Sequence, residues 1–132
     1  MTPKRVAAMA WLLAAAGAAS VAQPRMQPPT QAGCPRDQLT SYDGWPLRYA
    51  RQRGHTDLQI RTDWATTETV RLRHPGTDDP SPWFLLVGQP FQPGDWAAVE
   101  RRRGRLQPGL RVVAWVCSDG RNPVLDWQPP PR

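Results

Sequence analysis

The chain has 132 residues, 17 Lys or Arg against 11 Asp or Glu, a formal net charge of +6 and two cysteines. That length suits one domain with one modest core. Cysteines more than eighty positions apart exclude a metal knuckle and a C-x-x-C redox pair, while the mild positive balance permits an anionic partner without demanding one.

Lys4 and Arg5 precede an apolar run from Val6 to Gly17, and Ser20-Val21-Ala22 offers small residues at the −3 and −1 positions. This is the layout of a secretory signal peptide over 1–22, cut after Ala22; an uncleaved anchor is the alternative. Removing it leaves 110 residues with 15 basic and 11 acidic side chains and no transmembrane span. The expected location is periplasmic or secreted. In such a compartment Cys34 and Cys117 are expected to form one disulfide. Residues 23–36 are rich in Pro and Gln and read as an extended arm that Cys34 ties down. A single β-rich domain is expected over 37–127, with an extended tail over 128–132.

Within that domain, 37–54 is ambiguous between a short helix and an irregular lead-in. Leu58, Ile60, Thr62 and Trp64 alternate with polar residues, as do Val70, Leu72 and His74. Strand period on both sides of a short polar link predicts a hairpin. The continuous apolar run 83–88 predicts a buried strand. Asp95 is a candidate N-cap for a two-turn helix over 96–103 that Gly104 stops. Residues 110–117 and 123–127 read as two further strands. On 110–117 the unbroken apolar set Leu110, Val112, Ala114 and Val116 should face inward, with Trp115 outside and covered by the arm.

Strand, strand, strand, short helix, strand, strand is the resulting order. It resembles the OB-fold, a small five-stranded barrel with one helix between strands three and four. The stretch "LQPGLRVVAWVC" is similar to the entry into the fourth strand of such barrels. The resemblance implies a ligand face on the barrel and assigns no individual binding residue. An immunoglobulin-like β-sandwich is the alternative, although it prefers about seven strands and no helix.

Arg101, Arg102, Arg103 and Arg105 are the densest charge in the chain: residues 99–111 hold five Arg and one Glu. At the end of a helix such cations complement the macrodipole and need no ligand. Otherwise they form an anion-binding patch. Arg48, Arg51 and Arg53 make a second cluster. Because the chain has 16 Arg and one Lys, each Arg is weaker evidence for bidentate recognition than usual. Trp83, Trp96 and Trp115 lie in apolar runs and are expected in the core. Trp45, Trp64 and Trp127 sit beside polar or turn residues and are expected at the rim, where an exposed ring stacks on sugars or bases.

No serine, cysteine or histidine sits in a catalytic constellation, and the sequence points to no cofactor and no metal. The leading expectation is a non-enzymatic, exported binding module of a bacterial-type envelope. Its ligand residues would be Arg101, Arg102, Arg105, Arg71, Arg73 and Trp64, and its ligand anionic or aromatic-stacking, nucleic acid included. One alternative is a nuclease-like barrel using Arg71, Arg73 and Glu68 around a phosphodiester. Another is an inhibitor or immunity protein for a secreted toxin.

Overall fold

The computed structural model describes residues 27–131. The signal-peptide segment 1–22 lies outside the described residues. The elements are β1 (Leu39–Arg51), β2 (Gly54–Thr62), β3 (Thr67–His74), β4 (Phe84–Leu86), β5 (Gln89–Pro90), α1 (Trp96–Val99), β6 (Glu100–Arg102), β7 (Arg105–Leu106), β8 (Arg111–Cys117) and β9 (Val124–Gln128). Seven strands form one mixed sheet in the order β3-β2-β1-β8-β9-β4-β5, and β6 and β7 form a separate ribbon. The expectation of a mainly β chain is met, but the large sheet is open, with β3 and β5 at its edges. It is not divided into the two face-packed sheets of the immunoglobulin alternative.

The first strand is the main correction to the order of elements. The stretch left ambiguous between helix and lead-in is a 13-residue strand that pairs with both β2 and β8. A bulge between Pro46 and Arg48 interrupts its register. Tyr42 and Tyr49 are an odd number of positions apart, yet both pack against the main core. Only the extra residue of a bulge permits that, and it erases the period of two that would mark a strand. Near the bulge, β1 and β2 approach very closely. A Cβ on Gly44 would sit 2.0 Å from the carbonyl oxygen of Arg61, so no other residue fits there without moving the backbone.

Two other elements are shorter than expected. Strand β4 stops at Leu86, because Val87 and Gly88 turn the chain with φ +48° and +75°. Helix α1 is a single turn, not the run 96–103. Asp95 accepts from the Gln92 N–H (2.8 Å) and so caps the 3-10 turn Pro93–Asp95 instead of a longer helix. Glu100 is extended, at φ −109° and ψ 125°, and begins β6.

The main core combines Leu58, Ile60, Val70 and Leu72 of the β2–β3 hairpin with Phe84, Val99, Leu110, Val112, Ala114, Leu125 and Trp127. Trp127 is fully buried, which corrects its placement at the rim. Its polar neighbours Asp126 and Gln128 belong to the opposite face of the strand. Its ring meets Phe84 edge-on at 5.3 Å and Tyr49 at 6.1 Å. Trp83 and Trp96 are only partly buried, packed against this core.

A second cluster lies on the other side of β8 and β9, where Ala32 of the arm covers Leu85, Val113, Trp115 and Val124. Trp115 therefore sits under the arm, as expected. The Cys34–Cys117 disulfide is present, with Cα atoms 6.1 Å apart. Closing so long a loop contributes about 4–5 kcal/mol in the chain-entropy description. No described helix is long and apolar enough to cross a membrane.

Candidate anion site on the β6–β7 hairpin

The arginine cluster lies on a β-hairpin and not at a helix end, so the macrodipole has no part in explaining it. Arg102 and Arg105 are direct cross-strand partners. The two residues between them, Arg103 and Gly104, make the turn, with Gly104 in the left-handed region at φ +76°. Glycine adopts that conformation without steric cost.

Long-range contacts fix the base of the hairpin. Glu100 is buried and accepts from the Tyr49 hydroxyl (2.6 Å) and from Arg51 Nη1 (2.6 Å). Burial, reinforced by donation to Glu100, pushes the Tyr49 hydroxyl far above the usual tyrosine range. The Arg51 guanidinium also donates to the Asp78 carbonyl (2.9 Å) and lies over the Trp96 ring, 4.2 Å from its centroid. Gln107 returns the chain to α1 through its backbone N–H to the Val99 carbonyl and its side chain to the Ala97 carbonyl. At the turn, Arg103 pairs with Asp78.

What this frame displays is Arg101, Arg102 and Arg105, all exposed. None of them has a carboxylate partner among the described residues, nor do Arg36, Arg48, Arg53, Arg61 and Arg73, whereas Arg51, Arg71, Arg103 and Arg121 each have one and Arg111 has two. With Leu106 and Pro108 the three line a groove of about 540 Å³. Opposed like charges destabilise a strand pair. A bound anion would remove that repulsion, and arginine forks suit carboxylate, sulfate and phosphate oxygens alike.

The other expected site residues lie elsewhere. Arg71, on the outer face of the sheet, makes two hydrogen bonds to Asp57, at 2.6 and 3.0 Å. The bond from Arg71 holds the Asp57 carboxyl below the usual carboxylate range. Arg73 has its backbone engaged by the Asn122 side chain, which donates to its carbonyl (2.7 Å) and accepts from its N–H (2.8 Å). Strand alternation turns Glu68 to the face opposite Arg71 and Arg73. Those three therefore do not converge as the nuclease-like alternative requires.

Trp64 is 89% exposed at the β2–β3 turn and lines none of the grooves at the hairpin or on the sheet face. Trp45, half exposed, instead carries the Arg111 guanidinium 4.7 Å from its ring centroid, and Arg111 bridges Asp43 and Asp63. His74 is buried and structural. Nδ1 donates to the Thr77 carbonyl (2.8 Å), which leaves Nε2 to accept from the Thr56 hydroxyl (2.7 Å). Among the described residues no three His, Cys, Asp or Glu come together in a way that could hold a metal ion.

Sequence reasoning found the hairpin arginines but set Arg101, Arg102 and Arg103 on a helix, and it noted Arg48 in a second cluster without making it a ligand residue. A signal for the hairpin was present: two arginine-bearing segments separated by Arg103-Gly104, a two-residue turn ending in glycine. Comparison of the chain with protein-family models, with curated proteins and with solved structures finds no match.

Proposed function

We infer that this protein is an exported, disulfide-bonded binding module that holds an anionic ligand at the β6–β7 hairpin. The observation that carries the reading is the opposition of Arg102 and Arg105 on a braced ribbon, with Arg101 beside them and, among the described residues, no acid paired with any of the three. Export, to the periplasm or beyond, is supported by the signal-peptide layout of residues 1–22 and by the Cys34–Cys117 bond.

The OB-like architecture belongs to the same reading. In support, β1, β2 and β3 form a meander, β8 pairs with β1, and β9 runs parallel to β4. If β3 and β4 are two halves of one third strand interrupted by 75–83, the order becomes that of a five-stranded barrel with α1 before its fourth strand. The two hydrogen bonds of Asn122 then span the remaining gap between β3 and the β8–β9 loop.

Chromatography of the purified protein on immobilised heparin tests the anion site. Retention should fall steeply with salt, and the triple variant Arg101→Gln, Arg102→Gln, Arg105→Gln should lose most of it. Retention of the triple variant equal to that of the parent protein would remove the hairpin from the binding site.

A further inference from the structure

The hairpin groove is the first of three that follow one another. The second, of about 260 Å³, is shared between Arg105 and Leu106 of the hairpin and Leu47 and Arg48 at the bulge of β1. Arg48 also lines the next, a groove of about 410 Å³ on the outer face of β1, β2 and β3. Its lining includes Gln52, Gln59 and Thr69, with the Asp57–Arg71 pair beside them. The three grooves thus follow one another, with Arg105 and Arg48 as the residues shared at each junction. Arg48 is exposed and, like Arg101, Arg102 and Arg105, has no carboxylate partner among the described residues.

The chemistry changes along this path. The hairpin end offers unpaired guanidinium groups. The sheet end offers amide and hydroxyl groups that both donate and accept hydrogen bonds, which is what neutral hydroxyls require. No aromatic ring lines either end groove. The exposed Trp64 stands apart at the β2–β3 turn, and Trp45 is occupied by Arg111. Single-stranded nucleic acid takes much of its affinity from bases stacked on exposed rings, whereas the one aromatic lining this path, Tyr49 in the middle groove, is partly buried against the core, edge-on to Trp127 and with its hydroxyl on Glu100. A chain of sugars bearing carboxylate or sulfate groups needs only the guanidinium forks and the polar side chains.

We propose that the protein binds an extended acidic polysaccharide along the path from Arg101 and Arg102, past Arg105 and Arg48, onto the outer face of β1, β2 and β3. This rests on the reading of the β6–β7 hairpin as the anion site, and it adds the ligand class and a required length. A ligand reaching only the hairpin uses one groove, whereas a long chain engages all three as linked sites.

The test measures binding of fluorescent heparin-derived disaccharide and decasaccharide, used as probes of chain length, together with an oligothymidylate of matched charge. The decasaccharide should bind about 100-fold more tightly than the disaccharide, well beyond the roughly five-fold that its extra registers supply. Arg48→Gln should remove most of that excess while leaving disaccharide affinity within about two-fold, as expected if Arg48 serves only the extended part of the site. Arg36→Gln, an exposed arginine away from the path, should change neither value. A length effect no larger than the extra registers explain, or one unaltered by Arg48→Gln, overturns the path while leaving the hairpin site standing. Oligothymidylate bound more tightly than the decasaccharide overturns the polysaccharide assignment. Failure of every probe, the disaccharide included, removes the hairpin site as well.

Discussion

Two hairpins of this protein place an arginine in the same geometric position and answer its charge differently. In β2–β3, Arg71 lies directly across from Asp57, and the two make a forked pair. In β6–β7, Arg102 lies directly across from Arg105. In the first hairpin the charge of that arginine is answered within the chain. In the second, the Arg102–Arg105 charge is not answered among the described residues, although the base of the hairpin is fixed by buried Glu100 and its partners Tyr49 and Arg51. A rigid frame that displays uncompensated charge is the arrangement expected where the compensating charge comes from outside.

The comparison has meaning only if the sheet beneath both hairpins is ordered as described, and the largest expected effect tests that. Trp115 is 5% exposed beneath the arm, while Trp64 is 89% exposed at the tip of the β2–β3 hairpin. Trp115→Ala should cost about 3–5 kcal/mol, as for other buried aromatics. Trp64→Ala should stay within about 0.5 kcal/mol of the parent protein, as for most surface changes. Urea melts compare the two, and the reverse order would refute the arm-over-sheet arrangement.

The brace is next. Arg51 and Glu100 have side chains only 13% and 6% exposed. Glu100→Ala leaves the Arg51 cation and the Tyr49 hydroxyl without their acceptor, a loss of about 3–5 kcal/mol where a buried pair is broken. The equivalent change in the other hairpin, Asp57→Ala, breaks an exposed pair and should cost about 0.2–1 kcal/mol. Thermal unfolding of the two variants side by side measures the contrast. Equal losses would mean that the buried Glu100 contacts hold no more strongly than the exposed Asp57–Arg71 pair.

The features legible in the sequence were those whose causes are local. Period-two alternation marked β2 and β3, apolar runs between turn-forming residues marked β8 and β9, and the pleat of β8 placed Trp115 opposite the inward set Leu110, Val112, Ala114 and Val116. The disulfide followed from two cysteines in a chain whose first 22 residues read as an export signal. What escaped had distant or interrupting causes. The bulge at Pro46–Arg48 broke the alternation of β1 just where a strand had to be recognised. The expected helix ended after one turn, and Glu100 at its end is held extended by a partner 49 positions earlier in the chain, a contact no local pattern encodes. The same contact decides the candidate site, because it turns Arg101 and Arg102 from a helix end into a strand.

A single substitution can convert the second hairpin into a copy of the first. Arg105→Glu sets a carboxylate opposite Arg102, as Asp57 is set opposite Arg71. Replacing a repulsive cross-strand pair by an attractive one should raise stability by about 0.2–1 kcal/mol. It should also abolish retention on heparin, because the internal acid takes the place of the ligand. Stability and binding moving in opposite directions is the expected signature. A variant that is both less stable and still retained would show that the Arg102–Arg105 opposition has no part in recognition.

The smallest effect concerns pH, and it separates the hairpins by their titration. Asp57 is held below the ordinary carboxylate range, chiefly by its hydrogen bond from Arg71. With its folded pKa below the unfolded one, the unfolded chain binds more protons between the two values, so stability rises with pH across that window. The contribution is present in full above the unfolded pKa of about 4 and is lost as pH falls through the folded value. The pair is exposed, so the contribution is about 0.2–1 kcal/mol and screened by salt. Asp57→Asn should therefore be less stable than the parent protein at pH 6, and the two should converge as the pH falls through the folded pKa of Asp57. The Arg102–Arg105 opposition contains no carboxylate and contributes no such term. Arg105→Glu should introduce one, giving a stability gain that is present at pH 6 and disappears in acid. If that gain persisted at low pH, it would have to come from packing, and the charge-based comparison of the two hairpins would fail.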